Sequence, residues 1–275
     1  MNLTVDIGGA QFALDTQDGI DISIPVDFSG PQPNLFDAPA ASKTPMKVDS
    51  FIGDTRQGGS CNVDSLHLIP HCNGTHTECV GHIVDEPVQI LDQLQSTLFP
   101  CVLVSISPVG ASDTAETALD DLAPENLVVT RQDLERHIKN APREFRKCVA
   151  VRTFPNHRSK KVQHYGESGA AFFSRSAIQG LLDNDVQHLV TDLPSIDPLD
   201  DTAMHAHHLF WGLDPGARSG LGPESRNTPS TRTITELVYI PDDIDDGLYV
   251  IDLQVAPFRS DAAPSRPILY PVHII

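Results

Sequence analysis

The sequence predicts an α/β chain, mixed α+β in detail, built around a mixed central sheet. Short apolar runs rich in β-branched residues recur at 101–107, 148–153 and 186–192, as expected of strands covered on both faces. Helical patterns fall between them, which gives strand-helix-strand crossover units. Both ends of the chain instead alternate apolar and polar residues, the mark of half-buried antiparallel strands. A length of 275 residues is ample for a substantial core, and one domain over 1–275 is the expectation.

In chain order, Leu3, Val5 and Ile7 alternate with polar residues, Gly8-Gly9 makes a turn, and 11–14 returns as the second arm of a hairpin. Ile20, Ile22 and Ile24 alternate in the same way and predict an antiparallel edge. Residues 27–44 are rich in Pro, Ala, Ser and Gly without a sustained period, so they read as a loop. A loop of that length is either a surface segment or one that reaches over a site, its own or a neighbouring subunit's.

Further along, Thr130 caps a helix to about Asn140, with Asp133 in its first turn and Leu134 and Ile138 on one face. A second helix is expected over 174–182, and 237–240, 248–255 and 266–270 close the chain as strands. No internal repeat is evident.

Composition excludes several functions. Lys plus Arg number 19 against 37 Asp plus Glu, a formal charge of −18, which repels phosphate backbones and anionic membrane surfaces. Nucleic acid and membrane are therefore not expected partners. The five cysteines are odd in number and irregularly spaced, consistent with reduced thiols. With no signal peptide at the start and no apolar run of membrane-spanning length, the expected location is cytoplasmic.

The chemistry concentrates in residues 69–82, which hold His71, His76, Glu78 and His82. If the chain runs extended from Thr75, His76, Glu78 and His82 share one face, and a turn at Asn73-Gly74 would fold His71 back beside His76. Imidazole nitrogen and carboxylate oxygen are ligands for zinc, manganese or iron, and three protein ligands leave coordination positions open. A second group, His205, His207 and His208, lies on a short segment that reads as helical through Trp211; alone, such a run is commonly a surface helix face.

The stretch 71–82 resembles the His-x-Gly-Thr-His-x-Asp-x-Pro-x-His signature of the cyclase family, which includes bacterial kynurenine formamidases and isatin hydrolases. Gly74-Thr75-His76 matches directly and His82 falls at the family's distance. Here two residues instead of one separate His71 from Gly74, Glu78 replaces Asp, and Val80 replaces Pro. Asp192-Leu193-Pro194-Ser195-Ile196-Asp197 is similar to the family's Asp-x-Pro-Ser-x-Asp segment, and the following Phe210-Trp211-Gly212 selects His207, with His208 as competitor. Glu236, after an insertion at about 214–231, is the candidate for the family's later Glu, and that insertion is the expected specificity element. With residues 266–270 resembling the family's closing strand, the likeness runs from about 20 to 275.

The resemblance implies a swivelling β/β/α fold, assembly into homodimers or higher oligomers, and hydrolysis of an amide-like carbon-nitrogen bond, formamide or cyclic amide, in a small-molecule substrate. On this reading His71, His76 and Glu78 hold a divalent metal, zinc or manganese, which activates water. His82 shuttles the proton, while His207 and Glu236 complete a second metal position or orient water, giving Glu236 a catalytic part as well. Two alternatives are a cyclase or dehydratase on the same scaffold, and a non-catalytic protein that uses its metal to bind a small acid.

Overall fold

In the computed structural model, which describes residues 1–117, 122–166, 169–219 and 230–275, the β-branched runs become strands of one sheet that closes on itself. They are β1 His76–Glu78, β2 Leu98–Ile106, β3 Cys148–Thr153, β4 His188–Thr191, β5 Thr233–Glu236, β6 Gly247–Val255 and β7 Ala262–Pro271. Their spatial order is β6-β2-β3-β4-β5-β1-β7, and β7 pairs back onto β6. The four strands β2 to β5 are mutually parallel, linked by helical crossovers; the other pairings are antiparallel. This is the mixed sheet the sequence predicts.

Alternate residues serve two cores. Cys101, Leu103, Cys148, Ala150, Val190, Ile251 and Leu269 pack together on one face. On the other face Val102, Val104, Val149, Val151, Leu189 and Ile234 pack under α2 Arg131–Ile138, α3 Arg175–Asp183 and α4 His205–Trp211. Both faces being covered explains why these strands read as continuous apolar runs. Thr130 accepts from the Asp133 amide and Ser174 from the Ala177 amide, capping α2 and α3 where the sequence predicts.

The N-terminal hairpin, Asn2–Ile7 with Ala10–Asp15, forms as expected and adds His273–Ile274 as its third strand. The predicted strand at 20–25 is shorter: only Ile20–Asp21 pairs with β7, followed by a single bridge from Ser23 to Val238. Ile22 and Ile24 are nonetheless buried, so the alternation reports burial more than ladder pairing. Residues 237–240 also leave the ladder, because Leu237 takes a φ of 55°.

The edge of β7 is thus covered in tandem, first by β1 and then by Ile20–Asp21. Thr75 stitches the junction: its hydroxyl accepts from the Ile24 amide at 2.7 Å and donates to the Leu237 carbonyl. The loop expected at 27–44 packs on its own chain, and its end departs from the expectation, because Ser42–Pro45 pairs as a strand with Asp64–His67. Asn34 exchanges backbone hydrogen bonds with Gln163 and Tyr165, and Leu35 is buried with Cys72, Tyr165 and Leu237. Among the described residues no helix is long and apolar enough to cross a membrane.

Candidate metal centre

His71 is delivered by α1 Pro70–Asn73, a single helical turn with Pro70 in its first turn, where its missing N–H costs nothing. Asn73 is fully buried; its side chain accepts from the Ile69 amide at 2.7 Å and donates to the Pro39 carbonyl at 3.2 Å. The residue inserted relative to the family signature therefore builds the turn. Gly74 follows with extended backbone, φ 168°, rather than the left-handed turn expected at Asn73-Gly74. Glycine is needed there for close approach, since a Cβ would lie 3.0 Å from Val26 Cγ2 and 3.1 Å from the Ile24 carbonyl. His71 still ends beside His76, with ring centroids 5.2 Å apart.

Strand β1 puts His76 and Glu78 on one face, as period-two alternation requires, opposite Glu236 and Ile234 of β5. Thr77 points to the other face and shares a hydrogen bond with Thr235 at 2.8 Å. The extended run does not continue to His82. The strand ends at Glu78, and a 3-10 turn, Val80–His82, swings His82 back so that its Nε2 lies 3.7 Å from Glu78 Oε2.

The second cluster resolves between its two candidates. His207 on α4 is buried: Nδ1 donates to Asp197 Oδ2 at 2.5 Å and Nε2 to Glu78 Oε1 at 2.9 Å. Both ring nitrogens of His208 face backbone carbonyls, Met204 at 2.9 Å and Ala217 at 3.0 Å, so it takes no part. Glu236 stands at the end of β5 and is 4 % exposed, whereas a solvated carboxylate at a strand start is the ordinary reading of such a residue. Its Oε1 accepts from the Ile196 amide at 2.9 Å, and its Oε2 lies 3.5 Å from His76 Nε2.

All six sequence-predicted residues thus meet in one place. Five of them supply donor atoms to two groups, His71, Glu78 and His82, and His76, Glu78 and Glu236, within each of which the atoms lie no more than 4.8 Å apart; His71 and His76 thus fall in different groups, and His207 joins neither but meets Glu78 Oε1 through Nε2. Glu78 belongs to both. Three buried donor atoms in these groups lack any hydrogen-bond partner: His71 Nε2, His76 Nε2 and Glu78 Oε2. Leaving such atoms unpaired costs about 1–3 kcal/mol each, so each of the two groups, joined through Glu78, fits a cation that would engage its own unpaired atoms. The opposite edge of His76 is fixed, because Nδ1 faces the Gly74 carbonyl at 3.1 Å and must donate to it, which leaves Nε2 with its lone pair.

Residues 20–198 match the model of the Cyclase family, described as putative cyclases. The chain belongs to this family. The kynurenine formamidase of Bacillus mycoides (strain KBAB4) is 23% identical over 220 residues, 78% of this chain and 82% of the relative. Among solved structures, a predicted metal-dependent hydrolase from Bacillus stearothermophilus superposes with a TM-score of 0.56 at 16% identity, covering 92% of this chain and 97% of that one. An isatin hydrolase bound to the product analogue thioisatinate gives a TM-score of 0.59 at 13% identity, with 93% of each chain covered.

In this cyclase-family chain the centre's electrostatics follow from imidazoles facing carboxylates. Burial works against a charged His71, yet Asp261 and Glu78 override it and lift its pKa to about 10. Burial likewise opposes charge on Glu78, but His82 and His207 hold it well below the ordinary carboxylate range. His207 is lifted well above the ordinary value, against its burial, by Glu78 and Asp197. A divalent cation among these groups would take over the compensation that protons otherwise supply.

Two residues escape sequence reasoning. Asp197 lies within a segment read for its family likeness, but its grip on His207 needs the fold. Asp261, whose Oδ2 is 3.1 Å from His71 Nε2 and 3.4 Å from His82 Nδ1, has no local signature at all. His207, Glu236 and Asp261 also fall beyond the stretch matched by the family model. Of the insertion expected to set specificity, residues 220–229 lie outside the described residues.

Proposed function

We propose that this cyclase-family protein is a metal-dependent hydrolase of amide-like carbon-nitrogen bonds, N-formyl or cyclic amides of small molecules. The observation that carries the reading is the convergence of the unpartnered, buried His71 Nε2, His76 Nε2 and Glu78 Oε2 around a carboxylate shared by two donor groups. The names of its relatives, a kynurenine formamidase and an isatin hydrolase, support the amide-like bond.

Around the shared Glu78, His71 on one side and His76, Glu236 and His207 on the other would hold divalent metal of the zinc or manganese class, which supplies carbonyl polarisation and water of lowered pKa. The mixture of imidazole and carboxylate suits either ion. His82 is 26% exposed at its side chain, so it faces both the centre and incoming substrate. In the hydrolysis it takes the proton from water as the carbon-oxygen bond forms, and returns it to nitrogen as the carbon-nitrogen bond breaks. Asp197 holds the His207 ring by its Nδ1 edge, and the Ile196 amide holds Glu236 by Oε1, so both side chains are oriented from outside the centre.

The test uses protein purified without chelators. Its metal is measured, and it is then assayed with added zinc or manganese on a panel of N-formyl arylamines and cyclic amides, with products weighed by mass spectrometry. The expected product carries one added water. Loss of one water would identify a dehydrating cyclisation, and stoichiometric metal without turnover across the panel would leave a binding protein.

A further inference from the structure

Asp261 stands at the entrance to β7, and the chain there is laced to the turn that carries His82. The Asp261 carbonyl accepts from the Cys79 amide at 3.1 Å, and the Ser260 carbonyl from the Ile90 amide at 2.8 Å. Gly81 makes the approach possible: a Cβ at that position would lie 2.1 Å from the Val88 carbonyl oxygen and 3.3 Å from Asp261 Cβ. The carboxylate is then divided between two tasks. Ser260 Oγ donates to Oδ1 at 3.0 Å, while Oδ2 lies 3.4 Å from His82 Nδ1 and 3.1 Å from His71 Nε2. These two imidazoles are stacked, with centroids 4.2 Å apart and planes inclined by 22°.

We propose that Asp261 is a positioning residue of the centre: it holds His82 by the Nδ1 edge, so that Nε2 is the nitrogen offered to Glu78 and to the reacting group. A neutral imidazole carries one N–H, and a carboxylate beside Nδ1 places it there, leaving the Nε2 lone pair free. The 3.4 Å spacing is one that tightens when a centre is filled. The contact with His71 is of another kind. Neither contact has hydrogen-bond geometry in this structure, and they differ in the edge met: Asp261 reaches His82 at Nδ1, the edge away from Glu78, but reaches His71 at Nε2, the nitrogen that also lies 3.4 Å from Glu78 Oε2. Asp261 therefore flanks the stacked pair, outside the metal position at His82 and beside it at His71.

The kinetic part of this role rests on the hydrolase reading, and the experiment separates the two. Asp261→Asn and Asp261→Glu are prepared in the full chain, loaded with zinc, and compared with the parent in zinc content, in the ring-nitrogen chemical shifts of His82, and in kcat and KM on the panel amide the parent turns over best. In the parent, His82 should show a protonated Nδ1 and an unprotonated Nε2. Asp261→Asn should keep its zinc, lose that signature, and lower kcat by about a hundred- to ten-thousand-fold with little change in KM. Asp261→Glu should recover part of both. The proposal is overturned if Asp261→Asn loses zinc, which would make the residue a ligand, or if it keeps both the ring signature and kcat. A parent inactive on the whole panel would sink the hydrolase reading and leave the ring signature to decide the role of Asp261.

Discussion

Glu78 and His207, 129 positions apart, meet at 2.9 Å between Oε1 and Nε2, both buried. The other oxygen of the same carboxylate, Oε2, faces His71 at 3.4 Å and His82 at 3.7 Å. Glu78 therefore joins the helix α4 side of the centre to the 71–82 segment, and substitutions there should affect both donor groups together.

Glu78→Gln keeps the shape and removes the charge. A neutral amide is a poor ligand for a divalent cation, so zinc affinity should fall by more than the roughly 10- to 100-fold that outer-shell changes cost. Glu78→Asp, which keeps the charge and shortens the arm, should lose less. Chelator-competition titration orders the three proteins, and parent-like affinity in Glu78→Gln would remove Glu78 from the ligand set.

Asp197 does two jobs at the start of α4. Oδ1 accepts from the Ala206 amide at 2.6 Å, and Oδ2 accepts from both the His207 amide and the His207 ring. Asp197→Asn should cost zinc affinity by about 10- to 100-fold through the ring. It should also cost about 1–2 kcal/mol of metal-free stability through the helix start. Metal titration and urea unfolding read the two effects separately, and a variant altered in neither would show that α4 holds its own geometry.

How far the sequence could be read differs by level. Cys148–Thr153 forms as a strand over the span its apolar run suggests, because burial on both faces writes itself directly into residue type. His76 and Glu78 share a face because period two needs only local chain geometry. His82 arrives by a different device: nothing local distinguishes a continuing strand from the 3-10 turn that tertiary packing against Asp261 and Val88 imposes. The same holds for Asp261, which meets His71 and His82 only through the pairing of β7 with β1. His207 separates from His208 only once Asp197 is seen to hold one of them.

Lys160 and Asp192 form a buried pair at the carboxyl end of the parallel strands. Lys160 Nζ lies 2.8 Å from Asp192 Oδ2, and the same carboxylate accepts from the Thr153 amide and hydroxyl, each at 2.9 Å. Burial raises the Asp192 pKa even with Lys160 beside it, which shows how costly the charge is here. Lys160→Met should strand that carboxylate and cost about 3–5 kcal/mol in urea unfolding. Adding Asp192→Asn to it should recover much of the loss, and a double variant as unstable as the single one would point to packing by the lysine stem instead.

His188 at the start of β4 gives the chain a predictable acid response. The ring is buried, its centroid lies 4.0 Å from that of Phe99, and Nδ1 is 2.8 Å from Thr233 Oγ1. Burial lowers its pKa from 6.5 to about 4. The unfolded chain therefore binds a proton below about pH 6.5 that the folded chain refuses until about pH 4, and stability must fall as pH falls through that window. Above pH 6.5 the residue contributes no slope. The loss attributable to this one ring approaches about 3 kcal/mol at the low end, an upper figure that other titrating groups overlay. His188→Gln should flatten the difference in urea-unfolding stability between pH 6.5 and pH 4 by a few kcal/mol relative to the parent, although it lowers stability at neutral pH by loosening the packing on Phe99. Parallel stability curves for the two proteins across that window would show that the native ring accepts its proton as readily as the unfolded one.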